Sequence, residues 1–574
     1  MYANEIYVTL DDPLNKEEVL DHFNKTFDFA KSQMGSAQEI ALRLTSLKEV
    51  YYTHDTTFDF NPKGHRETNY VLLGIAFLIL FIAGINFTNL TTSLIPLRLK
   101  TINTHRVLGC SIYKLQAISL IESIVICLIS YILALFIVND LSYTPIANWV
   151  DADIRLSQYK GLILLTALIA ILTGCLAGLY PAIRSTSYAP ALVLKGSFGL
   201  SPKGKKVRVA LIGFQYTVSI ALIIVTLFMG LQNHFMTSSE QLGFNKDQVA
   251  IVNLTPEIYA KHKPQYIQKL KDYPGIEDVA FSVYELSKED DMIDLEYARH
   301  EDKDVFFKVF YASENFLSVM DIQVEEGRDF TREDLNKAQS DYIINPAAER
   351  DFHLHPGDRF NDRTVLGVSK DFRFNSCRIA SSPFVFALNN DIPNPKLVSY
   401  IRFNSKTNLQ EAVAHVRETL KEIDPTFPFE ISFYNTILNN LYQKEQTLGK
   451  LISLFGIMAI LISIVGVFGL VLFETQYRRK EIGIRKINGA TTGQILLMFN
   501  KTYIRIVSVC FIISIPIAWM GTQQWLENFA YKTPLHLWVF IVAFLIILSV
   551  TIGTVTFRNW QAANENPVNS VKSE

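Results

Sequence analysis

One stretch of the chain comes close to a nucleotide-binding sequence. Residues 199–206 read Gly-Leu-Ser-Pro-Lys-Gly-Lys-Lys. A phosphate-binding loop needs Ser or Thr after its lysine to hold magnesium, and it needs a strand before the loop. Here Lys206 replaces the hydroxyl, Pro202 interrupts the loop, and the segment is a basic linker between apolar blocks. The sequence therefore predicts that any ATP hydrolysis coupled to this chain takes place in another polypeptide.

Cysteine and histidine chemistry is not indicated elsewhere. Of the five cysteines, only Cys377 lies in the large polar segment, so no internal disulfide framework is expected there. His353, His355 and Asp371 lie in the same segment, but their spacing matches neither a metal site nor a nucleophile with its base. The sequence predicts no catalytic residue, no metal and no cofactor. A net charge of −2 gives no basic excess for nucleic acid.

The apolar residues are concentrated in blocks long enough to cross a bilayer. The 574-residue chain is 49% hydrophobic and only 19% charged, whereas soluble domains are about 25% charged. Its mean hydropathy is +0.17. Each block approaches the ~20 residues that a membrane helix needs. The seven blocks are 70–96, 115–138, 161–182, 209–231, 451–473, 504–520 and 537–555.

Lysine and arginine cluster in alternate loops. The loops after the first, third and fifth blocks are basic, whereas Asp140, Asp151 and Asp153 dominate a loop between them. Because short basic loops stay in the cytoplasm, this pattern predicts a cytoplasmic C-terminus, with residues 1–69 and 237–446 outside the membrane. Residues 1–69 contain no apolar segment that would drive export. We therefore expect an upstream membrane helix, and hence an N-terminally truncated chain.

Two of the basic loops are similar to each other. Residues 98–109 read Arg-Leu-Lys-Thr-Ile-Asn-Thr-His-Arg-Val-Leu-Gly, and residues 478–489 read Arg-Arg-Lys-Glu-Ile-Gly-Ile-Arg-Lys-Ile-Asn-Gly. Each loop follows one apolar block and precedes two more, which predicts two copies of a three-helix module. The predicted domains are 1–69 (remnant of an outer domain), 70–196 (first module), 197–236 (basic linker and fourth membrane helix), 237–446 (outer domain) and 447–574 (second module).

Residues 237–446 alternate between strand and helix patterns. Strands are predicted at 248–254, 279–283, 397–403 and 428–433, and helices at 265–271 and 409–423. This order predicts two β-α-β halves separated by an insert at about 300–395. From Asn435 a polar helical pattern continues into the fifth block, as one helix that is either a rigid stalk or a carrier of motion. The fold class is thus an α-helical polytopic membrane protein with an extracytoplasmic α/β domain.

Several short motifs occur in the order and spacing of a known family. Residues 481–490, Glu-Ile-Gly-Ile-Arg-Lys-Ile-Asn-Gly-Ala, resemble the cytoplasmic signature of FtsX-like permease domains. Residues 85–90, 178–184 and 566–567 resemble further marks of that family, and 326–330 and 367–372 resemble the MacB-like periplasmic core. The chain resembles a double-module permease of an ABC transporter of Bacteroidetes-type Gram-negative bacteria. The resemblance implies a multi-pass protein of the cell inner membrane.

The resemblance also implies partners and the residues that contact them. A homodimer, or a pair with a similar permease, would bind separate ABC ATPase subunits through the two basic loops. Topology anchoring alone explains the basic charges, but it does not explain the shared isoleucine and glycine at fixed spacing. Gly489 is also predicted to stop a helix. The candidate coupling residues are Arg98, Lys100, Ile102, Arg106, Gly109, Lys480, Glu481, Ile482, Ile484, Arg485, Lys486 and Gly489.

More than one function remains compatible with this sequence. The first expectation is export or extraction of a peptide, drug or lipid-linked substrate, with a periplasmic or outer-membrane partner. The alternatives are a non-transporting relay that regulates an envelope partner such as a cell-wall hydrolase, and an inert fragment. Glu122 lies inside the second block, and we expect it to reach the interface or pair with Lys114 rather than to carry protons.

Overall fold

The computed structural model describes residues 7–11, 15–26, 44–52, 66–144, 147, 155–187, 202–238, 242–287, 294–301, 303–337, 339–388 and 397–564. The chain divides into two compact units, Met1–Phe77 and Leu78–Glu574. The first unit contains the short helices α1 (Lys16–Thr26) and α2 (Leu47–Val50). The tail motif at 566–567 lies outside the described residues.

Long apolar helices dominate the second unit. Within the described residues, seven helices are long and apolar enough to cross a membrane, and each predicted block falls inside one of them. The prediction of a polytopic helical membrane protein is therefore confirmed. The seven are α3 (Arg66–Val107), α4 (Ile112–Leu141), α5 (Lys160–Thr186), α6 (Pro202–Thr237), α12 (Gln443–Tyr477), α14 (Thr492–Leu526) and α15 (Leu537–Ala563).

Small residues bring α4 and α5 into close contact. A Cβ added to Gly174 would lie 3.0 Å from Ile124 Cα, and one added to Gly178 would lie 2.5 Å from Ser123 Cβ. Glycines four residues apart let two helix backbones approach closely in a membrane, where association depends on packing and interhelical hydrogen bonds. The hydroxyl of Thr88 on α3 donates to the backbone oxygen of Ala177 at 2.8 Å, which adds α3 to this pair.

Polar side chains join the helices of the second half of the chain. The hydroxyls of Ser219 on α6 and Ser463 on α12 lie 3.0 Å apart. The Thr551 hydroxyl on α15 donates to the hydroxyl oxygen of Tyr216 on α6 at 3.0 Å. Because few competing partners exist in hydrocarbon, such bonds favour one arrangement of the helices. Helix α6 is therefore packed among the helices of the second module.

The near-miss nucleotide sequence continues into a helix. Helix α6 begins at Pro202, so Gly204, Lys205 and Lys206 belong to its first turns. Proline is common at the first turn of a helix, because its missing N–H would have no partner there. Residues 199–201 lie outside the described part of the chain.

The α/β domain, which we call the sheet domain, is built on one sheet. Within the described residues it has eleven strands in the order β11-β1-β10-β2-β4-β9-β6-β8-β5, with β3 beside β4 and β7 beside β8. Its strands are β1 (Val249–Leu254), β2 (Ile276–Ser282), β3 (Asp294–His300), β4 (Lys303–Ala312), β5 (Val324–Gly327), β6 (Tyr342–Ile344), β7 (Arg359–Phe360), β8 (Arg363–Ser369), β9 (Phe384–Leu388), β10 (Leu397–Phe403) and β11 (Ile431–Phe433). Its helices are α7 (Lys263–Lys271), α8 (Phe316–Met320), α9 (Pro346–Phe352), α10 (Leu409–Ile423) and α11 (Tyr434–Leu441).

The two predicted β-α-β halves are present, but they interleave. β1 and β11 pair with each other, and β10 lies between β1 and β2, so each half contributes strands to the same antiparallel layer. The insert extends this sheet through the pair Ser282 and Ala312, which joins β2 to β4. The sheet thus links the core and the insert, and strand pairing between distant segments produces that link.

A buried carboxylate fixes the turn after β5. Asp334 accepts two hydrogen bonds from Arg328, at 2.7 and 2.8 Å, and others from Thr331 and Lys337. The Arg328 guanidinium, together with these donors, holds the pKa of Asp334 well below its usual range. Gly327 has φ +78°, and a Cβ there would lie 2.2 Å from the Leu366 oxygen, so the turn requires glycine.

The prediction of one continuous helix from Asn435 into the fifth block is wrong in one respect. Helix α11 ends at Leu441, Tyr442 has φ −107° and ψ 13°, and α12 begins at Gln443. Tyr442 is completely buried in a cluster with Met236, Cys377 and Phe529. Tertiary packing around this one residue therefore interrupts a helical pattern that the local sequence favours.

Candidate functional site

The two basic loops lie at the same end of the helices. On α3 and α12, Asn86 Nδ2 donates to the Ile462 oxygen at 2.6 Å. A Cβ on Gly466 would lie 2.3 Å from Asn86 Oδ1, and one on Gly469 would lie 2.2 Å from Leu90 Cδ2. Residue numbers rise together along the two contacting helices, so α3 and α12 run parallel. Their C-terminal ends, which lead into the loops, are therefore on one side.

Both loops turn through the same backbone motif. Gly109 has φ +90° and Gly489 has φ +87°, a region that L side chains rarely adopt. Each glycine N–H bonds three residues back and the next N–H bonds five residues back, which is the Schellman pattern that ends a helix. The bonds are Gly109 to Arg106, Cys110 to His105, Gly489 to Lys486 and Ala490 to Arg485, each at 3.0 Å. The predicted helix stop at Gly489 is confirmed.

The chain re-enters a helix directly after each turn. Ser111 accepts from the Lys114 N–H before α4, and Thr491 accepts from the Gln494 N–H before α14. Ser and Thr side chains in these positions satisfy N–H groups that the first helical turn leaves free. Both modules therefore share the glycine turn and the capped helix start, although residues 98–107 continue α3 whereas residues 479–487 form a separate helix.

The first arginine of each loop is neutralised within the chain. Arg98 Nη1 and Nη2 donate to the two carboxylate oxygens of Glu122 on α4, each at 2.8 Å. Arg478 Nη2 lies 2.9 Å from Glu474 Oε1 one turn earlier on α12, and Tyr503 on α14 donates to the same carboxylate at 3.3 Å. Arg98 therefore fastens its loop to the following helix, whereas Arg478 pairs within its own helix end and Glu474 makes the link to α14. Glu122 pairs with Arg98 and not with Lys114.

Two further candidate residues have partners within the chain. Arg106 Nη1 donates to the Thr186 oxygen at 3.1 Å, at the C-terminal end of α5. A cation there complements the free carbonyl groups of a helix end. Arg485 Nη2 lies 2.8 Å from Glu481 Oε1, one turn earlier on the short helix α13 (Arg479–Ile487). These contacts attach Arg106 to the end of α5 and hold Arg485 against α13.

The apolar residues of the loops divide into buried and exposed ones. Ile482 is 3% exposed and belongs to the core of the second module, so it holds α13 in place. Ile484 and Ile487 are 47% and 65% exposed. In the first loop, Val107 and Leu108 are 68% and 78% exposed. The sequence analysis did not single out Val107 and Leu108. Apolar residues directly before a helix-stopping glycine in a basic loop could have indicated them as exposed contact residues.

The four remaining candidates lie on α3 and α13. Ile102 is half-buried on α3, and Lys486 is half-buried on α13. Lys100 and Lys480 belong to the helices, but their side chains fall outside the described part of the structure.

A second contact region lies at the other end of α12. The Cys377 N–H donates to the Tyr442 hydroxyl at 3.2 Å, and the Cys377 oxygen accepts from the Tyr531 N–H at 3.1 Å. Gln232 at the end of α6 donates to the Tyr531 oxygen at 3.0 Å. The segment after β8, the start of α12, the end of α6 and the loop between α14 and α15 therefore meet here. We call this region the sheet–helix joint. It consists of Gln232, Cys377, Arg378, Tyr442, Glu445 and Tyr531.

An ion pair lies inside the sheet–helix joint. Arg378 Nε is 2.7 Å from Glu445 Oε1, and the Glu445 side chain is only 9% exposed. The Arg378 guanidinium also lies over the Phe529 ring at 4.8 Å. A shielded carboxylate needs such a partner, because removing it leaves an uncompensated charge. Burial raises the pKa of the Cys377 thiol, so the thiol stays protonated and is a poor nucleophile.

One group of side chains in the sheet domain has the composition of a metal site. In the described residues, ligand atoms of Glu326, Glu349 and His355 all lie within 4.8 Å of one another. They come from β5, α9 and the turn after α9, and for that reason their spacing in the sequence did not reveal them. Two of the three are exposed. Water hydrates such charges, so the cluster needs no metal to be stable.

Comparison with known proteins identifies the helical modules. The family FtsX-like permease C-terminal matches residues 73–190 and 453–567. Two proteins named macrolide export ATP-binding/permease protein MacB are also similar to the chain. The one from Aggregatibacter actinomycetemcomitans is 25% identical over 212 residues, 35% of this chain and 32% of that protein. The one from Neisseria gonorrhoeae is 25% identical over 223 residues, 36% of this chain and 34% of that protein.

Solved structures of two related regions are similar to part of the chain. The periplasmic region of MacB from Actinobacillus actinomycetemcomitans is 14% identical, with a TM-score of 0.26, and covers 35% of this chain and 94% of that one. The extracellular domain of the noncanonic ABC-type transporter YknZ from Gram-positive bacteria is 15% identical, with a TM-score of 0.25, and covers 32% and 99%.

The match to the family confirms the resemblance seen in the two loops. The chain spans only about a third of the length of the curated relatives that it matches. The chain is a multi-pass membrane protein that carries two FtsX-like permease domains and has MacB proteins as distant homologues.

Proposed function

We propose that this chain is the permease subunit of an ABC transporter, and that separate ATPase subunits dock on its two loops. The observation that supports this most directly is the pairing of the loops. Both have the same glycine turn, both present exposed apolar residues, and both lie at one end of parallel helices. A pair of identical ATPase subunits would meet a similar surface twice.

Helix α12 supports the transmission of ATPase motion to the sheet domain. Its 35 residues span about 52 Å at 1.5 Å per residue, and it leads into α13 and the second loop at one end. At the other end it begins inside the sheet–helix joint, where Glu445 and Tyr442 hold it against the segment after β8. Movement of the second loop would therefore shift the joint, because one continuous helix connects them.

The loop charges support a cytoplasmic position for the docking surface. Basic loops stay on the cytoplasmic side, and this supports a periplasmic sheet domain and an inner-membrane protein. The permease would work as a homodimer or with a similar permease. The relatives are named for macrolide export, and we extend to this chain only export or extraction of a peptide, drug or lipid-linked substrate at the cell envelope.

Co-purification tests the docking assignment. The probe is an ATPase with a complete phosphate-binding loop that co-purifies with the unchanged full chain in detergent. Val107→Asp with Ile487→Asp should abolish complex formation and permease-stimulated ATPase activity. Leu335→Asp, at a 38% exposed residue of the sheet domain, is the matched control and should have no effect. Normal complex formation by the double variant would contradict the docking surface.

The direct connection through α12 also favours a second function. A non-transporting relay would transmit the conformational changes of ATP hydrolysis to an envelope partner, such as a cell-wall hydrolase. It needs a continuous helix and a contact with the sheet domain, but no path for a substrate. Crosslinking from the sheet domain in cells separates the two. Capture of a hydrolase would favour the relay, and capture of an outer-membrane channel would favour transport.

A further inference from the structure

Two cations lie on the outer face of α14 inside the membrane-spanning region. Lys501 and Arg505 are four residues apart, so they share one face of the helix about 6 Å apart along its axis. Both side chains are exposed. No acidic side chain among the described residues forms an ion pair with either of them. Ionisable residues in membrane spans are uncommon and usually have a partner.

The depth of these cations follows from the neighbouring helix. Asn500 Nδ2 donates to Thr556 Oγ1 at 2.9 Å. Asn500 on α14 and Thr556 on the antiparallel helix α15 therefore lie at the same depth in the membrane. Trp560 is 55% exposed one turn nearer the end where the loops lie. Exposed tryptophans are typical of the membrane–water interface. Lys501 therefore lies about 7.5 Å deeper than that level, and Arg505 about 13.5 Å deeper.

The same face of α14 is apolar beyond the cations. Val509, Ile512 and Ile513 are 57%, 66% and 50% exposed. They form an apolar stripe that leads away from the loops. Long basic side chains in such a position extend toward the interface while their stems stay on apolar surface. Two positive groups that extend toward the interface, with an apolar stripe below them, match the head and acyl chain of a phospholipid.

The internal repeat argues against topology anchoring as the reason for the two cations. The glycine turns and the helix starts at Ser111 and Thr491 align the two modules. In this alignment Lys501 corresponds to Ile121 and Arg505 to Val125, which are also exposed, at 59% and 46%. Helix α4 therefore has the same direction without these charges. The cations of α14 have a role that is specific to the second module.

We propose that Lys501 and Arg505 bind the phosphate of an anionic phospholipid in the leaflet on the side of the loops, with its acyl chain running from Arg505 toward Val509. Both cations donate hydrogen bonds to the phosphate oxygens, and the negative headgroup charge favours an anionic lipid over a zwitterionic one. This site does not depend on the docking of an ATPase.

Native mass spectrometry of the full chain, titrated with phosphatidylglycerol and phosphatidylcholine of identical acyl chains, tests the site. The unchanged protein should retain phosphatidylglycerol about tenfold more tightly than phosphatidylcholine. Lys501→Ile with Arg505→Val copies the residues of the first module and should remove that preference. If this variant does not fold, Lys501→Gln with Arg505→Gln takes its place, with the same expectation. Lys501→Arg with Arg505→Lys keeps both charges and should keep the preference.

Two controls separate this site from other sources of lipid binding. Lys406→Gln with Lys421→Gln removes two exposed cations from the sheet domain and should leave the preference unchanged. Inorganic phosphate at equal concentration should not displace the lipid, because it lacks the acyl chain. Three results would overturn the proposal. They are an unchanged preference in Lys501→Ile with Arg505→Val, a loss of the preference in the sheet-domain control, and displacement of the lipid by phosphate.

Discussion

Arg98 on α3 and Glu122 on α4 form a bidentate ion pair, with both nitrogen–oxygen distances at 2.8 Å. The sequence predicts that Arg98 contacts a partner protein. The ion pair gives Arg98 a role within the chain itself. The two side chains are 48% and 43% exposed, so the pair contributes modestly to stability. Its geometry nevertheless fixes the start of the first loop against the helix that follows it.

We expect Glu122→Gln to lower the free energy of unfolding by about 0.5–1 kcal/mol, as for other partly exposed ion pairs. The reason is that Arg98 loses its charged partner, and the first loop is then less firmly held. A double-mutant cycle with Arg98→Gln, measured by thermal unfolding in detergent, should show coupling of that size. Lys114→Gln is the control. A loss for Lys114→Gln equal to that for Glu122→Gln would show that the pairing is incorrect.

Replacement of either helix-stopping glycine should cost stability through the backbone alone. A Cβ on Gly109 or Gly489 would have no atom within 4 Å, so no clash contributes, but both residues have positive φ. We expect Gly489→Ala to cost about 1–2 kcal/mol in thermal unfolding and to weaken ATPase binding. Gly493→Ala, in the helical first turn of α14, should be neutral or stabilising. Equal effects at Gly489 and Gly493 would rule out a special turn.

The stability of the sheet domain should depend on Asp334 at neutral pH and lose that dependence in acid. The folded-state pKa of Asp334 is depressed, so its contribution is present above the unfolded pKa of about 3.9 and is lost as pH falls below it. Asp334→Asn should therefore cost about 1.5–3 kcal/mol at pH 7 and progressively less below pH ~4. Thermal unfolding over a pH series measures the difference. A difference that stays constant down to pH ~2 would contradict this assignment.

Breaking the ion pair of the sheet–helix joint should separate ATP hydrolysis from movement of the sheet domain. Arg378→Gln leaves the shielded Glu445 carboxylate unpaired, at a cost of about 3 kcal/mol. We expect ATPase binding to persist while the ATP-dependent change in protease sensitivity of the sheet domain is lost. Arg350→Gln, which removes an exposed pair with Asp351, is the control. Retention of the ATP-dependent change in Arg378→Gln would exclude the joint from the transmission path.

The sequence by itself determined the elements and their repetition. The seven membrane helices follow from apolar length, because each block must satisfy its backbone hydrogen bonds within the bilayer. The turns at Gly109 and Gly489 follow from a local backbone preference, and α10 begins and ends where the helical pattern predicts. These features depend on residues close together in the chain, and the pattern of residue types alone specifies them.

The tertiary structure decided which residues meet. It paired Glu122 with Arg98 and not with Lys114, and it buried Ile482 while leaving Ile487 exposed. It also interrupted the helical pattern at Tyr442, against Cys377. Each outcome depends on the packing of segments far apart in the chain. The spacing of residue types predicts that a helix or strand forms, but the shape of the neighbouring segments selects the side chains that they bury or pair.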